Sequence, residues 1–241
     1  MKHYLFLLFI FFYIKSFSQI NDLSISSIWD LEYIPERIES IKQLKNSKGF
    51  TRIKIDHEKK ISKILYFDYK FKVVDTLISS SNSLIPFFTE YYFSQDEKKI
   101  LLETETDKVY RRSKQSIYYV YDIEKNKINK VFIDKIQEPL FSPDSNKVAF
   151  VYRRNVYVKN LSTDKTERIT DDGNYQILNG ISDWVYEEEY GFVRAFDWSP
   201  DSNNIAYMKF DESKVPIFSM DIYGSDLYQF PYMFRYPKAG E

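Results

Sequence analysis

One phrase recurs along the chain and limits what it can fold into: an aromatic residue, a serine, a turn built around an aspartate, then an apolar strand. It reads FSQDEKKILLE over Phe93–Glu103, FSPDSNKVAFV over Phe141–Val151 and WSPDSNNIAYM over Trp198–Met208. The physics of each copy is local. Pro143 and Pro200 preset φ at a turn, Asp144 and Asp201 can accept bonds from amides of that turn, and the apolar residues that follow pack inward. Phe141 lies 48 residues after Phe93, and Trp198 lies 57 after Phe141. Each period holds about four short strands.

The remainder of the chain agrees with an all-β class. GFTRIKID (49–56), KILYFDY (63–69) and NVYVKNL (155–161) alternate apolar and polar side chains as half-buried strands do. In SIYYVYDIEKNKINKVF, EKNK reads as a hairpin turn between two strands. No sustained stretch carries apolar residues at helical spacing. Repeats of this length point to the blades of a β-propeller, and at roughly 50 residues per blade the chain carries about four, including an irregular one before residue 90. A β-sandwich with similar turns is the other all-β arrangement. The expectation is an incomplete propeller over 19–241.

The first residues, MKHYLFLLFIFFYIKSFSQ, have a basic start at Lys2, an apolar run from Tyr4 to Ile14 and small residues around Ser16 and Ser18. That is the layout of a signal peptide over 1–18. The run is 11 residues long, short for a hydrocarbon core of roughly 30 Å. Export to a periplasmic or extracellular space is therefore expected, with no membrane attachment after cleavage. The chain has no cysteine, which excludes disulfides, thiol catalysis and a lipidated cysteine. With 34 Lys and Arg against 35 Asp and Glu, no net field favours nucleic acid as a partner.

Several chemistries lack their residues. After residue 18 the only histidine is His57, in the polar stretch KIDHEKKI, which reads as a solvated turn. No G-x-S-x-G elbow exists, and a serine hydrolase needs nucleophile, base and orienting group together. With one such histidine and no cysteine, a zinc site is not expected, and no Gly-rich phosphate loop is present. No cofactor, metal site or catalytic residue is expected in this chain.

What stands out is DWVYEEEYGF, residues 183–192. Asp183 suits the N-cap and Gly191 the terminator of a short helix. On one turn Glu187, Glu188 and Glu189 project about 100° apart, so at most two can face a common point. Two converging carboxylates would welcome a cation or an amine; a solvated acidic helix end is the alternative. A second cluster is Arg111-Arg112 after Tyr110. A guanidinium there could hold a carbonyl or carboxylate, or simply lie in an exposed basic turn.

The stretch NGISDWVYEEEYGFVRAFDWSPDSNNIAYMKFDESKVPIFSMDIYG, followed by YPKAGE, resembles the N-terminal β-propeller of the dipeptidyl peptidase IV family, in the prolyl-oligopeptidase clan of serine peptidases. The likeness extends upstream through YRRSKQSIYYVYDI and FSPDSNKVAFVYRRNVYVKNL. It covers about residues 80–241 well and 21–80 loosely. The resemblance implies that Glu188 and Glu189 bind the free α-amino group of a peptide substrate and that Arg111 contacts its backbone carbonyl region. Such an enzyme removes N-terminal X-Pro or X-Ala dipeptides. It also implies an eight-bladed propeller, of which this chain would hold about half, and a partner α/β-hydrolase domain carrying a Ser-Asp-His triad that this chain lacks. Homodimerisation of the full-length protein is open on this reading. The alternative is a non-catalytic propeller-like module that binds peptide N-termini or protein partners.

Overall fold

A computed structural model describes residues 24–30, 32–33, 40–45 and 48–240. The expected signal peptide over 1–18 lies outside the described residues. The chain divides into two units, Met1–Ile38 and Glu39–Glu241. In the first, helix α1 (Ile25–Trp29) is closed by a capping box in which Ser24 Oγ accepts from the Ser27 amide at 2.9 Å.

The second unit is built of antiparallel meanders. Strands β1 (Ile41–Gln43), β2 (Phe50–Asp56), β3 (Ile61–Phe67) and β4 (Val73–Ser79) form the first four-stranded sheet in sequence order. A second contains β5 (Glu90–Phe93), β6 (Lys99–Lys108), β7 (Lys114–Asp122) and β8 (Lys127–Lys130). The third contains β9 (Gln137–Phe141), β10 (Lys147–Tyr152), β11 (Asn155–Asn160) and β12 (Thr166–Arg168). The hairpin expected at EKNK joins β7 to β8. The sheet before residue 90 is complete although it lacks the serine-aspartate phrase.

The sheets pack face to face, and the alternation of side chains along their middle strands explains how. Ile100 and Leu102 of β6 point into a core with Ile53, Ile64 and Ile78 of the first sheet. Leu101, between them, points the other way, into a core with Val148 and Phe150 of β10. Ala149 and Val151 of β10 face a third core, with Leu178, Phe196 and Phe210. A strand buried on both faces has no polar side, so β6 and β10 read as continuous apolar runs rather than as alternations. This is blade stacking, and the architecture is a partial β-propeller.

The recurring phrase closes each blade and also ties it to the next. Ser94, Ser142 and Ser199 donate to Asp96, Asp144 and Asp201 at 2.6, 2.5 and 2.5 Å, and each aspartate accepts the amide two residues further on. Burial pushes Asp96 and Asp144 up, but the serine hydroxyl and turn amides outweigh it and hold both carboxyls below the ordinary range. The residue after each aspartate, Glu97, Ser145 or Ser202, adopts left-handed backbone with φ of 58, 61 and 62°. From that position each side chain accepts an amide of the preceding blade: Lys45 N to Glu97 at 2.7 Å, Asp96 N to Ser145 at 3.3 Å, Asp144 N to Ser202 at 3.0 Å. Ser145 and Ser202 are buried. Ser145→Ala leaves the Asp96 amide without its acceptor, so urea unfolding should show a loss of about 1–2 kcal/mol with an unchanged m-value.

The fourth blade departs from this plan. Strand β13 (Ile177–Asn179) pairs with β16 (Lys209–Asp211), and β14 (Phe196–Trp198) with β15 (Ile205–Tyr207). Asn179 faces Lys209 and Phe196 faces Tyr207, while Met208 between them donates to Ala195 O at 2.8 Å and accepts from Gly180 N at 3.0 Å. The two pairings are thus one continuous register. β13 and β14 are halves of a single strand, from which residues 180–195 leave and to which they return. A last hairpin, β17 (Ile217–Ile222) with β18 (Phe230–Arg235), follows.

Candidate functional site

The excursion over 180–195 carries the acidic run. Its legs are joined by a bridge between Ile181 and Arg194 and by the Ser182 amide donating to Val193 O at 2.9 Å. At the tip stands helix α2 (Trp184–Tyr190). Asp183 is its N-cap, accepting from the Tyr186 amide at 2.8 Å, and Gly191 ends it in left-handed conformation at φ 74°. Both boundaries fall where the sequence places them.

Aromatic contacts fix the helix on its flanks, which accounts for the tryptophan and tyrosines around the glutamates. Trp184 packs on Phe234 and Tyr236 at ring-centroid distances of 5.2 and 5.3 Å. Tyr186 packs edge-on against Phe210 at 4.9 Å and Phe192 at 5.9 Å. Rings at these separations resist rotation of the helix about its axis.

Across from the helix lies the turn at residues 109–113, which links β6 to β7 of the second blade. It is closed by the Val109 amide donating to Ser113 O at 2.9 Å and the Tyr110 amide donating to Ser113 Oγ at 3.1 Å. Burial, together with a hydrogen bond to Tyr232, pushes the Tyr110 hydroxyl up to about 12. Turn and helix meet over a cavity of ≈90 Å³ whose lining includes Tyr110, Ser113, Trp184, Glu187 and Glu212. Burial raises Glu212 above the ordinary carboxylate range, and the negative Asp183 nearby adds to that rise.

The three glutamates are treated differently by the fold. Glu187 is buried, 1% exposed, and its Oε1 accepts the amides of Arg112 at 2.7 Å and Ser113 at 2.8 Å. Glu188 forms an ion pair with Arg111, Nε to Oε2 at 3.2 Å. Glu189 is exposed. The structure therefore brings Arg111 and Glu188 together and leaves Glu189 exposed to solvent. Sequence reasoning missed the part played by Glu187. The available signal was helical spacing, which allows only two of three consecutive residues to share a face and so sends one elsewhere.

His57 is exposed in the turn between β2 and β3, as its polar neighbours indicate, with its ring 6.3 Å from that of Phe87. Among the described residues no cluster of three or more His, Cys, Asp or Glu side chains is arranged to hold a metal, and no helix is long and apolar enough to cross a membrane.

A second polar region lies along the first strands of the blades. A cavity of ≈670 Å³ is lined by Tyr92, Lys114, Tyr118, Glu138, Arg194 and Asp197, among others. Just behind it Glu103, 2% exposed, accepts from Lys114 Nζ at 2.7 Å and Tyr118 Oη at 3.0 Å. Burial pushes Glu138 up, against the pull of Arg194 and Lys114. Glu103 is a buried charge with its cation and hydroxyl donors in place, a structural arrangement.

Residues 94–241 match the family described as the dipeptidyl peptidase IV (DPP IV) N-terminal region. The chain is 33% identical to "Prolyl endopeptidase FAP" of Mus musculus over 188 residues, 76% of this chain and 25% of that protein. It is 37% identical to "Dipeptidyl peptidase 4" of Felis catus over 157 residues, 63% of this chain and 20% of that one. Among solved structures it is similar to the dipeptidyl peptidase 4 of Porphyromonas gingivalis, with a TM-score of 0.80 and 32% identity over 90% of this chain and 32% of that chain. The chain thus spans about a quarter or less of the length of the curated relatives it matches.

Proposed function

We propose a function from one premise: this chain belongs to the family of the dipeptidyl peptidase IV N-terminal region. On our reading it is the part of an exported peptidase that recognises the free amino end of a peptide and admits it for removal of an X-Pro or X-Ala dipeptide. Hydrolysis itself falls to an α/β-hydrolase domain with the triad that these 241 residues do not contain.

The observation that carries this reading is the ion pair of Arg111 with Glu188 at 3.2 Å, beside an exposed Glu189. An arriving ammonium has two adjacent carboxylates to bond, and Arg111 has donors left to hold a peptide carbonyl. Held at both points, a peptide is gripped by its amine and its first carbonyls, so the reach into a catalytic centre is measured from the N-terminus. A ligand without a charged amine loses the first hold.

Titration calorimetry of the chain with glycyl-prolinamide and with its N-acetylated form tests this. Binding is expected for the free amine and not for the acetylated ligand. A peptide α-amine has a pKa of about 7.7–8.0, which two carboxylates raise in the complex. Affinity is therefore near its maximum at about pH 6.5–7, where the free amine is charged and carboxylates are ionised, and falls as pH rises through the free amine's pKa, toward tenfold per unit, until the bound ammonium itself titrates. Equal binding of both ligands would overturn the reading.

Export belongs to the same proposal. It rests on the basic start, the Tyr4–Ile14 run and the small residues before Gln19. Sequencing the amino end of the protein recovered from outside the cytoplasm should begin at Gln19, and an uncleaved chain retained in the cytoplasm would refute it.

A further inference from the structure

We infer that Glu187 is a positioning residue: its carboxylate fixes the turn that presents Arg111, and through it the span from the guanidinium to Glu188 and Glu189. The inference deepens the amine-recognition reading and rests on it.

Glu187 is 1% exposed and so does not itself meet a ligand from solvent. Its Oε1 instead accepts two consecutive amides, Arg112 N at 2.7 Å and Ser113 N at 2.8 Å, immediately after Arg111. These are charge-assisted bonds out of water, among the stronger kinds that a backbone can make. The Arg111 side chain, by contrast, is 75% exposed; although Glu188 is only 14% exposed, a pair open to solvent on the arginine side holds that long side chain less firmly than buried bonds hold a backbone. Something other than that pair has to set where the residue stands.

Glu187 and Glu188 are neighbours on helix α2. The anchor of the turn and the partner of the guanidinium are thus one residue apart on a rigid element, although the turn comes from the second blade and the helix from the fourth. Small shifts of one blade against the other do not alter the span between the cationic and anionic parts of the site, because both are referred to the same helical turn.

Two substitutions separate reach from charge. Glu187→Gln keeps a carbonyl oxygen at the same distance, able to accept both amides. Glu187→Asp keeps the charge but draws it back by one methylene, about 1.5 Å, beyond reach of both amides. Amide hydrogen exchange of the chain is expected to speed up at Arg112 and Ser113 on the order of ten- to a hundredfold in E187D and by about threefold at most in E187Q. Affinity for glycyl-prolinamide should fall about tenfold in E187D, and combining E187D with R111A should cost no more than R111A alone.

Exchange unchanged in E187D, or equally fast in E187Q, would overturn the anchoring role. Losses in E187D and R111A that multiply would overturn the link to Arg111. Absence of any binding by the unsubstituted chain would defeat the amine reading instead, while the exchange rates still decide the anchor. Should E187D not fold, the unsubstituted chain decides it: the Arg112 and Ser113 amides are expected to exchange on the order of a hundredfold slower than free-peptide rates, and unprotected amides would refute it.

Discussion

Glu188→Gln lowers the affinity for a free-amine dipeptide by about ten- to a hundredfold. A carboxamide in place of the carboxylate would still offer an oxygen, but a hydrogen bond between an ammonium and a carboxylate is worth about 1.5–3 kcal/mol, and the neutral amide forfeits most of it. The substitution also takes the charged partner at 3.2 Å away from Arg111. Calorimetry with glycyl-prolinamide measures the loss. The acetylated ligand, which lacks the ammonium, is the blank titration for both proteins. In a longer protein that carries the catalytic part, the same factor should appear in kcat/KM. Unchanged affinity in Glu188→Gln would remove this residue from the site.

Gly180→Ala should destabilise the chain by about 2–5 kcal/mol, read as a lower urea midpoint. Gly180 sits at φ 76°, where a side chain is costly by about 1–2 kcal/mol. Its missing Cβ would also lie 2.7 Å from Val156 Cγ2 and 3.2 Å from Val151 Cγ2, both in the third core, and overpacking of that kind typically adds about 1–3 kcal/mol. The backbone at this point serves two purposes, since Gly180 N and O hold Met208 and Ala195 while the chain turns away toward α2. A variant of unaltered midpoint would mean that the third core yields where the Cβ enters.

Much of the blade architecture is legible in the sequence because it depends on local chemistry. The serine-aspartate phrase encodes its own turn, and Asp183 and Gly191 bracket the helix through capping preferences that act within a few residues. The reach of Ser145 and Ser202 into the preceding blade is not legible, because a bond spanning 49 or 58 residues leaves no local trace. The same holds at the site. An acidic run reads as three equivalent carboxylates, and only the tertiary arrangement makes Glu187 an anchor, Glu188 a partner of Arg111 and Glu189 an acceptor facing water. β6 and β10 illustrate the opposite lesson: ILL and VAFV already signal burial on both faces, a pattern easily mistaken for ordinary core sequence until the blades are stacked.

The unbroken register of β13 and β14 against one partner strand has a consequence for how such a protein can change. Gly180 and Ala195 bond to each other and both bond to Met208, so the blade is knitted shut at the root of the segment between them. What grows from that root is a guest of the sheet. Its root and its packed side are not free to drift, since Gly180, Ile181 and Ala195 close the third core and Trp184, Tyr186 and Glu187 bind the rest of the chain. Only exposed positions at its tip, such as Glu189, can be rewritten without renegotiating the fold that supports them.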